Sequence, residues 1–142
     1  MKTLYSAKVT TEGGRKGRTT SDDGILDLQL SMPKSLGGEG GEHTNPEQLF
    51  AAGYSACFGS ALEMIAKNAN VDLGDYSVTV KIDLEQNDDK EMDLSAVIDV
   101  YIPEIEVEKG EDLINEAHEV CPYSRATRDN IDVTLNLLID ED

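Results

Sequence analysis

An uninterrupted stretch of apolar and small residues, Leu49–Leu62, constrains the fold of this chain more than any other feature. Charge returns only at Glu63. The preceding Thr44-Asn45-Pro46-Glu47 offers an N-cap, a proline in the first turn and an acid at the positive end of a helix dipole, and Thr44 and Glu47 have capping-box spacing. We therefore predict a helix over residues 44–68. A helix that is apolar on all sides must be buried on all sides, which predicts cover from a sheet and from a second subunit.

Alternating apolar and polar residues predict strands in five other segments. These segments are residues 2–11, 25–32, 76–85, 92–102 and 131–139. Apolar residues at helical spacing predict a helix over 108–120, which Pro122 ends, so that Cys121 lies at its C-terminal end. Two strands, a helix, two strands, a helix and a strand predict an α+β domain.

Length and charge limit the classes of protein to which this chain can belong. The chain has 142 residues, which suits a single domain over 1–142. Its net charge of −17 argues against nucleic acid and anionic membranes as partners. No signal peptide precedes the first strand, and no apolar run approaches the roughly 20 residues of a membrane span, so we expect a cytoplasmic protein. Acidic residues are densest at Glu85–Asp93, Glu104–Asp112 and Asp140–Asp142. These patches fit either an ordinary solvated surface or adaptation to high salt.

The chain has two cysteines, Cys57 and Cys121, and a lasting structural disulfide is not expected in the cytoplasm. They are therefore either two inert buried thiols or a redox pair. Cys57 lies inside the predicted helix, where burial would raise its pKa, so a reactive Cys57 needs a cation nearby. Arg15 and Arg18 lie in a glycine-rich turn, and a guanidinium keeps its charge, favours a thiolate and can donate several hydrogen bonds.

Glu47 is a candidate counter-charge for a buried arginine. Glu47 and Cys57 are ten positions apart, which is about 15 Å along an unbroken helix. One helix cannot bring Glu47 beside its own Cys57, so either the helix is broken or Glu47 comes from a second subunit. We favour an intertwined dimer with its sites at the interface.

Motifs around both cysteines resemble a known family. Residues 44–58 are similar to the signature of the OsmC/Ohr superfamily and, more narrowly, of the organic hydroperoxide resistance proteins. Residues 117–128, 13–18 and 36–38 resemble that subfamily too, so the likeness covers essentially the whole chain. One departure is Asp129, where the family pattern has a glycine.

The resemblance implies an intertwined α+β homodimer with antiparallel sheets packed on long central helices. It implies that Cys57 attacks an organic hydroperoxide and becomes a sulfenic acid, and that Cys121 then closes an intramolecular disulfide. Arg15 would stabilise the thiolate and orient the peroxide, and Glu47 would hold Arg15. The implied reductant is a dithiol, carried as a dihydrolipoyl group on a lipoylated protein, and no cofactor is implied.

Two other functions stay open: an OsmC-type peroxidase of broader peroxide use, and a non-enzymatic domain that binds an apolar ligand in the dimer cleft. His118 and Cys121 have His-x-x-Cys spacing, but two ligands fall short of a closed zinc site, so no metal is expected. Aromatic side chains in the core and the pocket wall would favour organic hydroperoxides over hydrogen peroxide. The aromatic residues predicted there are Phe50, Tyr54, Phe58 and Tyr123.

Overall fold

A computed structural model describes residues 1–140 and confirms the predicted α+β class. Of the acidic patch at Asp140–Asp142, positions 141 and 142 lie outside the described residues. The helices are α1 (Pro46–Asn68), α2 (Val107–Val120) and α3 (Pro122–Thr127). The strands are β1 (Val9–Glu12), β2 (Arg18–Ser21), β3 (Asp27–Gln29), β4 (Ser77–Gln86), β5 (Met92–Tyr101) and β6 (Asp132–Leu138). The chain forms two compact units, one over Met1–Leu49 and one from Phe50 onward.

The first unit contains an antiparallel sheet in the order β1-β2-β3. The predicted strands over 2–11 and 25–32 are both too long, because only β1 and β3 are paired there. Residues 1–8 are exposed and lie in no strand. The strand β2 was not predicted, since its short Arg-Thr-Thr-Ser sequence lacks apolar alternation.

The second unit contains a sheet in the order β4-β5-β6. Strands β4 and β5 form an antiparallel hairpin, with Val78 opposite Val100. Strand β6 runs parallel to β5, with Leu135 opposite Ile98, so the expectation that the sheets are antiparallel is wrong for this pair. The reason is the connection: helices α2 and α3 intervene between β5 and β6 and return the chain to the end of the sheet where β5 begins.

The core of the second unit lies between this sheet and the helices. Helix α1 buries one face, on which Tyr54, Phe58 and Leu62 are fully buried at helical spacing. Ile98, Val100 and Leu113 come from β5 and α2 to the same cluster. The opposite face of α1 is exposed within the chain, at Ala52, Ala56 and Ser60. The prediction that α1 is covered on all sides is therefore confirmed for one side only.

Helix α1 is long and apolar enough, by length and composition alone, to cross a membrane, which the sequence reasoning had excluded. That reasoning counted only the uncharged run and overlooked the apolar residues Met64, Ile65 and Ala66, which continue it beyond Glu63. The core helix of a soluble protein meets the same criterion, and 33% of the apolar stretch of α1 is buried in this chain.

Candidate functional site

The structure brings the two cysteines together. The Sγ atoms of Cys57 and Cys121 are 3.7 Å apart, with the Cys121 thiol placed to donate to Cys57, and both thiols are free. Cys121 is fully buried and Cys57 is partly buried. A disulfide needs a sulfur–sulfur distance of about 2.05 Å, so closure requires a movement of less than about 2 Å.

The backbone fixes Cys121 from both sides. It ends α2, where its amide donates to the Ala117 carbonyl at 2.8 Å, and it precedes α3, where its carbonyl accepts from the Arg125 amide at 2.9 Å. The prediction that the helix ends at Pro122 is confirmed. Helix α3 was not predicted, although a proline is typical of the first position of a helix and Pro122 occupies that position here.

The surroundings of Cys57 within its own unit favour the neutral thiol. Burial raises the pKa of the Cys57 thiol above its ordinary value, and the neighbouring Cys121 raises it further. The backbone amide of Tyr123 opposes both effects, but the net pKa stays raised. Activation of this thiol therefore requires positive charge beyond these neighbours.

A buried hydrogen-bond network beside the cysteines was missed by the sequence reasoning. The Tyr54 hydroxyl contacts Ser124 Oγ at 2.9 Å and Thr127 Oγ1 at 3.1 Å, and all three residues are buried. His118 Nδ1 lies 2.7 Å from Ser124 Oγ. The available signal was the clustering of hydroxyl residues directly after Cys121, but nothing local linked them to Tyr54, which lies 70 positions earlier than Ser124.

Arg15 and Glu47 form a two-point ion pair in the first unit. Nη2 of Arg15 lies 2.7 Å from Oε1 of Glu47, and Nη1 donates to Oε2 at 3.0 Å. Both side chains are largely shielded, with exposures of 33% and 17%. The hydrogen bond to Glu47 is the largest cause of a raised Arg15 pKa, so this guanidinium keeps its charge. Oε1 is close enough for the ion pair but is not aligned for a hydrogen bond, and it has no other partner among the described residues.

The turn that carries Arg15 depends on close backbone contact. Arg15 lies in a short 3-10 turn over Gly14–Lys16, and a Cβ atom on Gly17 would fall 1.6 Å from the Glu12 carbonyl oxygen. Arg18, the rival to Arg15, instead pairs with Asp27 at 2.7 Å in an exposed position. Of the two arginines in the glycine-rich turn, Arg15 is therefore the one that contacts Glu47.

The start of α1 leaves Glu47 available for that pair. The Gln48 amide donates to Asn45 Oδ1 at 2.8 Å, so Asn45 caps the helix and Pro46 is its first residue. The Thr44 hydroxyl donates to the Gln48 side chain at 2.8 Å. The predicted capping box between Thr44 and Glu47 is wrong, because the helix begins one residue later and the Glu47 carboxylate binds Arg15.

Comparison with known proteins places this chain in a family. Residues 38–136 match the model of a family described as OsmC-like protein. The chain belongs to the OsmC family. Within it, organic hydroperoxide resistance protein OhrB of Bacillus subtilis is 47% identical over 135 residues, which cover 94% of this chain and 98% of that protein. The organic hydroperoxide resistance protein of Xanthomonas axonopodis pv. citri is 44% identical over 137 residues, 96% of each chain.

Solved structures in the family agree with the fold described above. The crystal structure of an organic hydroperoxide resistance protein from Elizabethkingia anophelis superposes with a TM-score of 0.92. It is 45% identical, and the match covers 99% of this chain and 100% of that one. This member of the OsmC family is therefore one of the organic hydroperoxide resistance proteins.

Proposed function

We propose that this protein is a thiol peroxidase that reduces organic hydroperoxides to alcohols. The observation that carries the proposal is the pair of free thiols, Cys57 and Cys121, whose sulfur atoms lie 3.7 Å apart beside the core. The names of its relatives, which refer to organic hydroperoxide resistance, support a peroxide-detoxifying role.

The proposed reaction has three balanced steps. The Cys57 thiolate attacks the O–O bond of the hydroperoxide, forms an S–O bond and releases an alkoxide, which takes up a proton and leaves as the alcohol. The Cys121 thiol then attacks the sulfenic sulfur, so that an S–S bond forms and water leaves. A dithiol reductant finally exchanges with this disulfide and restores both thiols while becoming a disulfide itself.

Activation of Cys57 is assigned to Arg15. Burial and Cys121 raise the pKa of the Cys57 thiol, so the thiolate needs a permanent positive charge. A guanidinium also has several N–H groups that can donate to a peroxide oxygen, and the two-point pair with Glu47 would fix its orientation.

We propose that the active protein is an intertwined homodimer in which Arg15 and Glu47 of one subunit serve Cys57 of the other. Ten residues of helix rise about 15 Å, and α1 is continuous from Pro46 to Asn68, so Glu47 does not reach its own Cys57. Two exposed surfaces support a second subunit: the face of small residues on α1, and the N-terminal residues 1–8, which carry the exposed side chains of Leu4 and Tyr5.

The proposed substrate class follows from the aromatic residues near the cysteines. Tyr54 and Phe58 are fully buried and belong to the core. Phe50 is partly buried and stacks on Tyr54 with ring centroids 6.0 Å apart, and Tyr123 is 40% exposed. Aromatic surface that is accessible beside a thiol favours a hydroperoxide with an apolar tail over hydrogen peroxide.

The reductant and the compartment are part of the proposal. We propose a dihydrolipoyl group of a lipoylated protein, or another dithiol, because a dithiol closes into its own disulfide and releases both cysteines. Two free thiols at this distance are compatible with function in the reducing cytoplasm, where a thiol-regenerated enzyme finds its reductant.

The test is peroxide consumption with dihydrolipoamide as reductant, with cumene hydroperoxide and hydrogen peroxide compared. The wild type is expected to consume the organic peroxide faster. Cys57→Ser is expected to lose all thiol-dependent turnover, and Cys121→Ser is expected to accumulate a sulfenic acid that dimedone traps. Equal rates with both peroxides would favour a broader OsmC-type peroxidase, and no turnover of either would favour a ligand-binding domain instead.

A further inference from the structure

Four polar side chains beside the cysteines form a continuous set of contacts, which we name the hydroxyl chain: His118, Ser124, Tyr54 and Thr127. Three of its contacts have distances that suit a hydrogen bond in either direction. The fourth does not: Thr127 Oγ1 donates to the Ser124 carbonyl at 3.1 Å, because a carbonyl oxygen only accepts. This last contact sets the direction of all the others.

The count of protons leaves one arrangement in which all four hydrogen bonds form. Each hydroxyl has one proton to donate. The Thr127 hydroxyl donates its hydrogen bond to the carbonyl, so it accepts one from Tyr54, and Tyr54 in turn accepts one from Ser124. Ser124 has then donated its own proton, so it must accept from Nδ1 of His118. The ring nitrogen that faces Ser124 at 2.7 Å therefore carries a proton.

Burial, and then the charge of Arg128, lower the pKa of His118 below its ordinary value, with Glu119 acting in the opposite sense. The ring is thus neutral at pH 7 and has a single proton. With that proton on Nδ1, Nε2 is unprotonated. A neutral histidine in water places its proton on either nitrogen, so a fixed Nδ1–H form is a specific consequence of the hydroxyl chain.

The hydroxyl chain also joins the two segments that carry the cysteines. Tyr54 lies one helical turn before Cys57 on α1, and Ser124 lies one turn after Cys121 at the start of α3. The hydrogen bond between Tyr54 and Ser124, at 2.9 Å, therefore runs beside the 3.7 Å contact between the sulfur atoms. The two bonds of Tyr54 join α1 to α3 and restrain the sliding of α3 along α1.

We propose that the hydroxyl chain positions Cys121 for closure of its disulfide with Cys57, and that His118, protonated on Nδ1, is the positioning residue that completes it. The disulfide is a step of the proposed peroxidase reaction, so the biological role of this positioning rests on the proposed function. Its physical content is independent of the peroxide: a fixed tautomer of His118 and a fixed approach of the two sulfur atoms.

The first experiment records ¹⁵N NMR of the histidine rings in the reduced protein, in which protonated and unprotonated nitrogens resonate far apart. The chain has two histidines, so His118 is identified by comparison with His43→Gln. We expect the Nδ1–H form in the wild type. In Tyr54→Phe the Ser124 proton is released to point at His118, and we expect the ring proton to move to Nε2.

The second experiment measures closure of the disulfide with diamide, an oxidant whose N=N bond takes up two thiol hydrogens as the S–S bond forms. Cys121→Ser shows that the measured closure requires Cys121. We expect Tyr54→Phe to close roughly three- to tenfold more slowly, the factor that one net hydrogen bond is worth. Thr19→Val is the matched control, because it removes another buried hydroxyl, bonded to Thr11 at 2.9 Å, and is expected to close at the wild-type rate.

An Nε2–H form of His118 in the wild type would overturn the direction of the hydroxyl chain. Wild-type closure rates in Tyr54→Phe would overturn its positioning role. If Tyr54→Phe does not fold, as judged by circular dichroism, Thr127→Val removes the far end of the chain and tests the same two results. If the proposed peroxidase function is wrong, the protein will not consume peroxide, but the histidine tautomer and the closure rates can still be as expected. The failure of the function is therefore distinguishable from the failure of the positioning role.

Discussion

Asp129 allows a sharp test of local backbone strain, because its backbone conformation is typical of glycine. Its φ angle is 62°, in the left-handed region, two positions after the last residue of α3. Left-handed geometry costs an ordinary L-residue about 1–2 kcal/mol, and aspartate bears only part of that cost because its short polar side chain tolerates the region. We expect the free energy of unfolding to be highest for Asp129→Gly, intermediate for the wild type and lowest for Asp129→Ala.

The difference between the glycine and alanine variants is the most informative number, since both remove the same charge. After allowance for the greater freedom of glycine in the unfolded chain, we expect Asp129→Gly to be more stable by about 1 kcal/mol. For a domain of this size, that corresponds to a few degrees in the thermal midpoint. Urea and thermal denaturation monitored by circular dichroism measure it directly.

Asp132, in strand β6, is the matched control, because it is exposed, close in sequence and free of positive φ. There the order should reverse, with Asp132→Ala more stable than Asp132→Gly by roughly 0.5–1 kcal/mol. If Asp129→Gly were no more stable than Asp129→Ala, the left-handed strain at this position would be refuted.

Three further predictions concern charge and ionisation. Burial and the hydrogen bond to Glu63 raise the pKa of Tyr76 to about 12. The unfolded tyrosine ionises near pH 10, so stability is expected to fall between about pH 10 and 12, and Tyr76→Phe should flatten that fall in urea titrations. The net charge of −17 implies self-repulsion that salt screens, so the thermal midpoint should rise between 0.1 and 1 M sodium chloride, and a decrease would contradict this reading. Arg15→Gln should slow alkylation of Cys57 at pH 7 by about tenfold or more, whereas Arg18→Gln, the control, should leave it unchanged.

Much of the fold was predictable because helices and strands leave periodic patterns in the sequence. Strands β4, β5 and β6 and helices α1 and α2 lie within one or two residues of their predicted bounds. The failures occurred where the pattern was ambiguous. The alternation in residues 2–11 predicts a strand over its full length, but a strand exists only where a partner pairs with it, and in this chain that is Val9–Glu12.

For the candidate site, too, the motifs predicted some features and the backbone geometry decided others. The sequence motifs named Cys57, Cys121, Arg15 and Glu47 as candidates, but residue type alone left both Arg15 and Arg18 possible as the partner of Glu47. That choice depends on which side chain the turn over Gly14–Lys16 directs at the start of α1. Direction in a tight turn is a property of backbone angles, and the one-letter pattern does not contain them.

By itself, the sequence determined the α+β class, the family resemblance and the two thiols, because these follow from local periodicity and short motifs. Only the tertiary structure decided that β6 is parallel to β5, that the sulfur atoms are 3.7 Å apart and that Tyr54 meets Ser124. Each of these contacts joins residues at least 37 positions apart. Contacts at that separation arise from the packing of whole elements against a shared core, so no local pattern encodes them.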